Sequence, residues 1–168
     1  GQPINVNHVV ISAGDVGTAL LDGFTITEGS ADRTNSRVLN GINIHRGHGG
    51  AIYMSASSPT LSNLNIYDNH STQGGGAICI YEESASNISN TLIWNNSSLD
   101  EGGAVYITNK AMATLINVTI AGNTAVKGGG GVSVANSTQG YTTKLSNSII
   151  YGNDGGNGVT ADDNVKYV

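Results

Sequence analysis

A repeat of 27 residues runs through most of this chain and restricts the folds that are open to it. It contains two alternating motifs. The first begins with an apolar residue and ends with Asn, and its copies are LSNLNIYDN from Leu61, ISNTLIWNN from Ile88, LINVTIAGN from Leu115 and LSNSIIYGN from Leu145. The second begins with a Gly pair, and its copies are GGAIYM from Gly49, GGAICI from Gly75, GGAVYI from Gly102 and GGGVSV from Gly129. Two motifs that share one period indicate structural units stacked along an axis.

Both motifs have the two-residue period of a strand. In the Gly-pair motif, the apolar residues Ile52 and Met54 alternate with Tyr53, so one face is expected to point toward a core. The Asn-ended motif also alternates, but it changes phase at its third residue, which is Asn63 in the first regular copy. A slip of one residue would turn the apolar set outward. We therefore predict a bend at this Asn, a residue that tolerates positive φ.

The repeat predicts stacked columns of side chains along the axis. Bends are expected at Asn63, Asn90, Asn117 and Asn147, with Gly23 in an earlier, fainter copy. A second Asn column is expected to bond to the backbone and to itself as a ladder, at Asn69, Asn96, Asn123 and Asn153. The inward aliphatic stack is predicted to be Ile66, Ile93, Ile120 and Ile150 beside Ile52, Ile78, Val105 and Val132.

Short strands joined by bends and repeated every 27 residues predict an all-β fold, a right-handed parallel β-helix (β-solenoid) of about five coils. Strands of successive repeats would pair in parallel about 4.8 Å apart. A propeller blade needs about 40 residues and is excluded. No helical period and no hairpin turn pattern is evident, so we expect neither. Residues 1–168 are predicted to form one domain, with a loop insertion over residues 30–48 in the first coil.

Composition excludes several classes of protein. Twelve acidic residues against seven basic ones give a net charge of −5, which argues against a nucleic-acid partner. No apolar run approaches the roughly 20 residues that span a bilayer, so this segment is not expected to cross a membrane. The single Cys leaves the redox compartment open.

The motifs resemble those of known repeat families. GGA followed by Ile or Val, alternating with the apolar-x-x-Asn pattern, resembles the repeats of chlamydial polymorphic membrane proteins. The stretches LDGFTITEG from Leu21 and SSPTLSNLNI from Ser57 are similar to right-handed β-helix repeat proteins secreted by Bacteroidetes. This resemblance implies a fragment of a longer secreted chain, outside the cell or on a bacterial surface. Such families include adhesins and modules attached to carbohydrate-active enzymes, so the resemblance specifies fold more closely than activity.

Aromatic residues at outward strand positions form the first candidate ligand-binding site. Tyr67, Trp94 and Tyr151 share one repeat position, and Tyr53 and Tyr106 share another. Such rings on a rigid sheet are expected to form flat apolar platforms with polar tips, on which sugars or protein partners can stack. The net charge of −5 disfavours acidic polysaccharides unless a cation bridges. The expected partner is therefore a neutral glycan or a host or cell-surface protein.

Charged and His residues near the Gly pairs form a second candidate, which we call the rim site. Its residues are His45, Arg46, His48, His70, Asp100, Glu101 and Lys127. No His or Asp spacing typical of a metal site recurs, so no metal ion or cofactor is expected. Parallel β-helices also house polysaccharide lyases, which often hold Ca²⁺ with carboxylates, and hydrolases, which need converging acids.

The acidic residues of this chain fall in loops, and the repeat produces no column of paired carboxylates. We therefore favour a non-catalytic binding or adhesion module without an assigned catalytic residue. The alternative is a divergent polysaccharide lyase or glycoside hydrolase of the β-helix type, for which Ca²⁺ would be the expected ion.

Overall fold

Short parallel strands stack coil upon coil in the computed structural model, which describes residues 6–136, 140–156 and 164–167. The strands lie in four parallel sheets that run along the axis of the solenoid, and a separate hairpin packs on the outside. Two of the sheets have five strands each, so four complete turns separate their first and last rungs. This arrangement is the predicted solenoid of about five coils.

Sheet 1 is built from the Gly-pair motifs and is the largest of the four, with six strands. Its strands are β1 (Val10–Ala13), β7 (Ile52–Ser55), β11 (Ile78–Tyr81), β15 (Val105–Thr108), β19 (Val132–Ala135) and β22 (Val165–Tyr167). Ile52, Ile78, Val105 and Val132 pair in register and are fully buried, as the alternation predicts.

Sheets 2 and 3 are built from the two halves of the Asn-ended motif. Sheet 2 contains β2 (Leu20–Asp22), β8 (Thr60–Ser62), β12 (Ala85–Ser89), β16 (Met112–Ile116) and β20 (Lys144–Ser146). Sheet 3 contains β3 (Thr25–Ile26), β9 (Asn65–Tyr67), β13 (Leu92–Trp94), β17 (Thr119–Ala121) and β21 (Ile149–Tyr151). Within sheet 3, Ile66, Ile93 and Ile120 align in the core and are fully buried, while Ile150 in the last coil is half-buried.

The bends between sheets 2 and 3 lie where the change of phase predicts them. The φ angles are 54° at Asn63, 50° at Asn90, 56° at Asn117 and 49° at Asn147, with 75° at Gly23. A second column of positive φ follows sheet 3 and was not predicted. It consists of Glu28, Asp68, Asn95, Gly122 and Gly152, with φ between 53° and 64°.

Asn90 offers a direct test of the bend. We expect Asn90→Val to lower the free energy of unfolding more than Asn90→Gly, because Gly adopts positive φ freely and a β-branched residue does not. The difference should be about 1–2 kcal/mol, the cost of a left-handed residue with a Cβ. Urea unfolding followed by circular dichroism measures it, and equal stability of the two variants would contradict the bend.

Two-residue strands follow Asn69, Asn96 and Asn123 of the ladder, and another follows Gly29 in the first coil; these segments were predicted as loops. These strands form sheet 4, which contains β4 (Ser30–Ala31), β10 (His70–Ser71), β14 (Ser97–Ser98) and β18 (Thr124–Ala125). Each places one small residue inside, and Ala31, Ser71, Ser98 and Ala125 are buried. A strand of two residues is too short to show a period in the sequence.

The insertion of the first coil is an antiparallel hairpin, so the expectation of a loop without a hairpin is wrong. Strands β5 (Ser36–Leu39) and β6 (Ile42–His45) pair across Asn40 and Gly41, whose φ angles are 51° and 77°. Asn-Gly with two positive φ angles is the preferred two-residue hairpin turn. The predicted insertion over residues 30–48 also begins too early, because Ser30 and Ala31 pair within sheet 4.

The Gly pairs join sheet 4 to sheet 1 at a place where no side chain fits. Gly75 has a φ of 68°, and a Cβ added to Gly76 would lie 2.2 Å from the Gly103 carbonyl oxygen and 2.5 Å from that of Ser97. Both neighbours are backbone atoms fixed by hydrogen bonds to adjacent coils, Ser97 in β14 and Gly103 through its N–H to the Gly129 carbonyl oxygen, so they cannot move independently. The chain therefore passes through this corner only with two glycines.

Candidate functional site

The outer face of sheet 3 carries the first candidate site. Strand pairing aligns Tyr67, Trp94, Ala121 and Tyr151 in one line, which we call the ring column. A second line beside it contains Asn65, Leu92, Thr119 and Ile149, and we call it the flanking column. None of these eight side chains carries a charge.

Tyr67 and Trp94 stack on each other instead of forming a flat platform. Their ring centroids are 4.7 Å apart, and their planes differ by 22°. Two rings lying side by side in one plane could not approach so closely, so the faces of the rings meet. The spacing of about 4.8 Å between strands matches the spacing of stacked rings, so neighbouring rungs favour this arrangement. The prediction of a flat platform is therefore wrong.

Trp94 is held in place by a residue that the sequence analysis did not identify. Its indole Nε1–H donates a hydrogen bond to the Asn65 Oδ1, 3.0 Å away, in the flanking column. Asn65 precedes Tyr67 by two residues, so both side chains emerge from the same face of strand β9. In the sequence, only the spacing of the repeat could have indicated this contact, because it sets the register that places Asn65 and Trp94 on neighbouring strands.

The column beyond Trp94 is open to solvent. Trp94 is 36% exposed and Tyr151 is 75% exposed, while Leu92 and Ile149 of the flanking column are 40% and 61% exposed. Ala121 lies between the two rings and contributes only a methyl group. These residues together form an uncovered apolar surface without charge, and surfaces of this kind are where binding sites occur.

Tyr53 and Tyr106 do not extend this surface. Tyr53 points outward from sheet 1 as predicted, but it is fully buried because the hairpin covers it, with Ile44 packed in the same cluster. Tyr106 is half-buried, and its ring stacks on His48 at 5.7 Å and 5°. The prediction of exposed rings is wrong for these two residues, since a repeat pattern contains no information about what packs outside a coil.

Two His residues of the rim site meet over Tyr81. The rings of His45 and His48 lie edge to face with centroids 6.0 Å apart, and the His45 ring lies 5.0 Å from that of Tyr81. Burial, together with the neighbouring His45, lowers the pKa of His48 to about 4. The His48 ring is therefore neutral at neutral pH and packs as part of an aromatic cluster. Tyr81 was not predicted, although it also occupies an outward position on sheet 1.

The charged members of the rim site are paired with local partners. Lys127 Nζ lies 3.1 Å from an Asp100 carboxylate oxygen. Glu101 accepts hydrogen bonds from Lys166 Nζ at 2.6 Å and from Ser133 Oγ at 2.9 Å. The Lys127–Asp100 pair is exposed, and ion pairs of this kind contribute little to stability. The Lys166–Glu101 pair is partly buried and reaches across two coils, because β22 pairs with β19 and β19 pairs with β15.

Arg46 and His70 form hydrogen bonds with residues outside the rim site. Arg46 Nη2 donates to the Asn7 Oδ1 at 2.6 Å, which fastens the hairpin to the first coil. His70 Nδ1 lies 2.9 Å from Ser97 Oγ on the outer face of sheet 4. The seven rim residues thus divide among several local contacts instead of converging on one centre.

Neither a metal site nor a membrane-spanning helix is found over residues 6–136, 140–156 and 164–167. No group of three or more His, Cys, Asp or Glu side chains there is placed to hold a metal ion. Over the same residues, no helix has the length and apolar character needed to cross a membrane.

Comparison with known proteins supports the architecture. A family model described as a right-handed β-helix region matches residues 5–167. Comparison with curated proteins and with solved structures gave no match. The prediction of a right-handed parallel β-helix repeat is confirmed, while the resemblance to chlamydial and Bacteroidetes repeats stays a prediction.

Proposed function

Because this chain belongs to the right-handed β-helix family, we propose that it is a non-catalytic binding module, located outside the cell or on a bacterial surface, that takes a neutral glycan on the outer face of sheet 3. The single observation that carries this proposal is the stacked pair of Tyr67 and Trp94, in which Trp94 is exposed and Tyr67 is half-buried. Sugar rings have apolar C–H faces that pack against aromatic faces, and free glycans are abundant outside cells.

Charge supports a neutral ligand. The ring column and the flanking column contain no charged residue, and the chain as a whole has a net charge of −5. An anionic polysaccharide would approach a surface of the same sign without a compensating cation. A neutral glycan meets no such repulsion.

Rigidity supports binding at this place. Trp94 is fixed by its stacking on Tyr67 and by its hydrogen bond to Asn65. A ring that is already ordered loses little conformational entropy when a ligand arrives. The strands beneath are paired on both sides, so the ring column lies on a rigid element.

Replacing Trp94 tests the proposal. An array of neutral and anionic oligosaccharides identifies the tightest neutral binder, and calorimetry then compares that oligosaccharide on the wild type and on Trp94→Ala. We expect Trp94→Ala to weaken binding by about 1 kcal/mol or more, as at other binding hot spots. The lost stacking should cost the fold only about 0.5–1.5 kcal/mol.

Ile116→Ala is the matched control. Ile116 is 40% exposed, close to the exposure of Trp94, but it lies on the outer face of sheet 2. This variant should bind as the wild type does. If no neutral oligosaccharide binds, or if both variants bind with wild-type affinity, the proposal is wrong.

A further inference from the structure

The ring column has one rung without a ring. Rings stand at Tyr67, Trp94 and Tyr151, and Ala121 occupies the rung between the last two. Trp94 and Tyr151 therefore emerge from strands that are two spacings apart, about 9.6 Å. Tyr67 and Trp94 show that one spacing accommodates one stacked pair, with centroids at 4.7 Å. The gap between Trp94 and Tyr151 at the level of Ala121 is therefore thick enough for a single ring.

The space beside this rung is open. A Cβ added to Gly122, the next residue along the chain, would meet no atom within 4 Å, and the same holds for Gly152 after Tyr151. Tyr151 is 75% exposed, so its ring is free to form one wall. The opposite wall is the second face of Trp94, because Tyr67 covers the first.

We propose that one pyranose unit of the glycan inserts into this rung, between Trp94 and Tyr151 and above the Ala121 methyl group. This inference rests on the proposed function and specifies how the ligand is held. The two apolar faces of a pyranose would pack against the two rings, and its hydroxyl groups would lie at the open sides. Thr119 shares strand β17 and its outer face with Ala121, so it places a hydroxyl group at one of those sides.

Filling the rung tests this inference. In Ala121→Tyr, the new ring would continue the stack from Trp94 and occupy the place of the sugar. We expect its affinity for the neutral oligosaccharide selected on the array to fall about tenfold or more. Ala121→Ser is the matched control, because it leaves the rung open and should bind within about twofold of the wild type.

Tyr151→Ala is the second variant and does not depend on how the filled rung folds. It removes one wall at an exposed position, and its affinity should fall about fivefold. Wild-type affinity in both Ala121→Tyr and Tyr151→Ala would overturn the inserted sugar. If Trp94→Ala alone loses binding, the proposed function stands and only the insertion is wrong. Displacement of the oligosaccharide by indole at lower concentration than by free monosaccharide would also overturn the sugar assignment, because the rung would then prefer a flat aromatic ring.

Discussion

Replacing Asn96 with Leu is expected to lower the free energy of unfolding by about 3 kcal/mol or more, since several buried polar groups lose their partners at once. Asn96 is buried, and its Oδ1 accepts hydrogen bonds from the Asn69 backbone N–H at 3.0 Å and from Asn69 Nδ2 at 2.9 Å. Its own Nδ2 donates to the Asn123 Oδ1 at 2.9 Å and to the Ile66 carbonyl oxygen at 3.1 Å. Leu has a similar size but none of these groups.

Asn95 provides the control for this variant. It is the preceding residue, it is exposed, and its φ of 53° is one that Gly accepts. Asn95→Gly should therefore cost less than about 1 kcal/mol, since surface changes away from buried features have small effects. Chemical denaturation compares the two variants. An Asn96→Leu protein as stable as Asn95→Gly would show that the ladder contributes nothing to the fold.

Truncating Ile93 to Ala should cost about 2–5 kcal/mol, as other buried large-to-small changes do. Ile93 is fully buried in the middle of the aliphatic stack, between Ile66 and Ile120 in adjacent coils. The strands on both sides are paired, so the coil has little freedom to collapse into the space that is left.

Leu92→Ala is the control for the core change. Leu92 is adjacent to Ile93 on strand β13 but points outward and is 40% exposed. Its truncation should change the free energy of unfolding by roughly 0.5 kcal/mol. A loss below about 1 kcal/mol in urea unfolding of Ile93→Ala would contradict the inward assignment, given the range for buried Ile.

Features that repeat along the chain could be predicted from the sequence. A gapless spacing places Ile66 on Ile93 and Asn69 on Asn96, so strand register, the inward stack and the ladder follow directly. The bend at Asn63 also follows, because it is the only way to keep Leu61 and Leu64 both inside, and both are buried.

Features that occur once, or that depend on side-chain orientation, could not be predicted in the same way. The hairpin covers Tyr53 only because it folds back over sheet 1, and no period encodes that contact. Its Asn40–Gly41 turn was nevertheless a local signal, and reading it would have predicted the hairpin. The repeat placed Tyr67 and Trp94 in one column but did not specify whether their faces or their edges would point outward.

The second column of positive φ had a visible signature too. Asp68, Asn95, Gly122 and Gly152 occupy one repeat position, and Asn and Gly are the residues that favour this conformation. The column begins one coil earlier at Glu28, so its first two residues are acidic and the remaining three are uncharged. The backbone conformation, and not the charge, is what the column has in common.

Trp94 is the only Trp in the chain, so its fluorescence reports on the ring column alone. The most direct measurement is a titration of the wild-type protein with the neutral oligosaccharide selected on the array, followed through Trp94 emission and in parallel by calorimetry. A sugar stacked on the free face of Trp94 predicts a saturable change in emission with the same dissociation constant as the calorimetric one. Binding measured by calorimetry with no change in Trp94 emission, or no binding of any neutral oligosaccharide, would contradict the account.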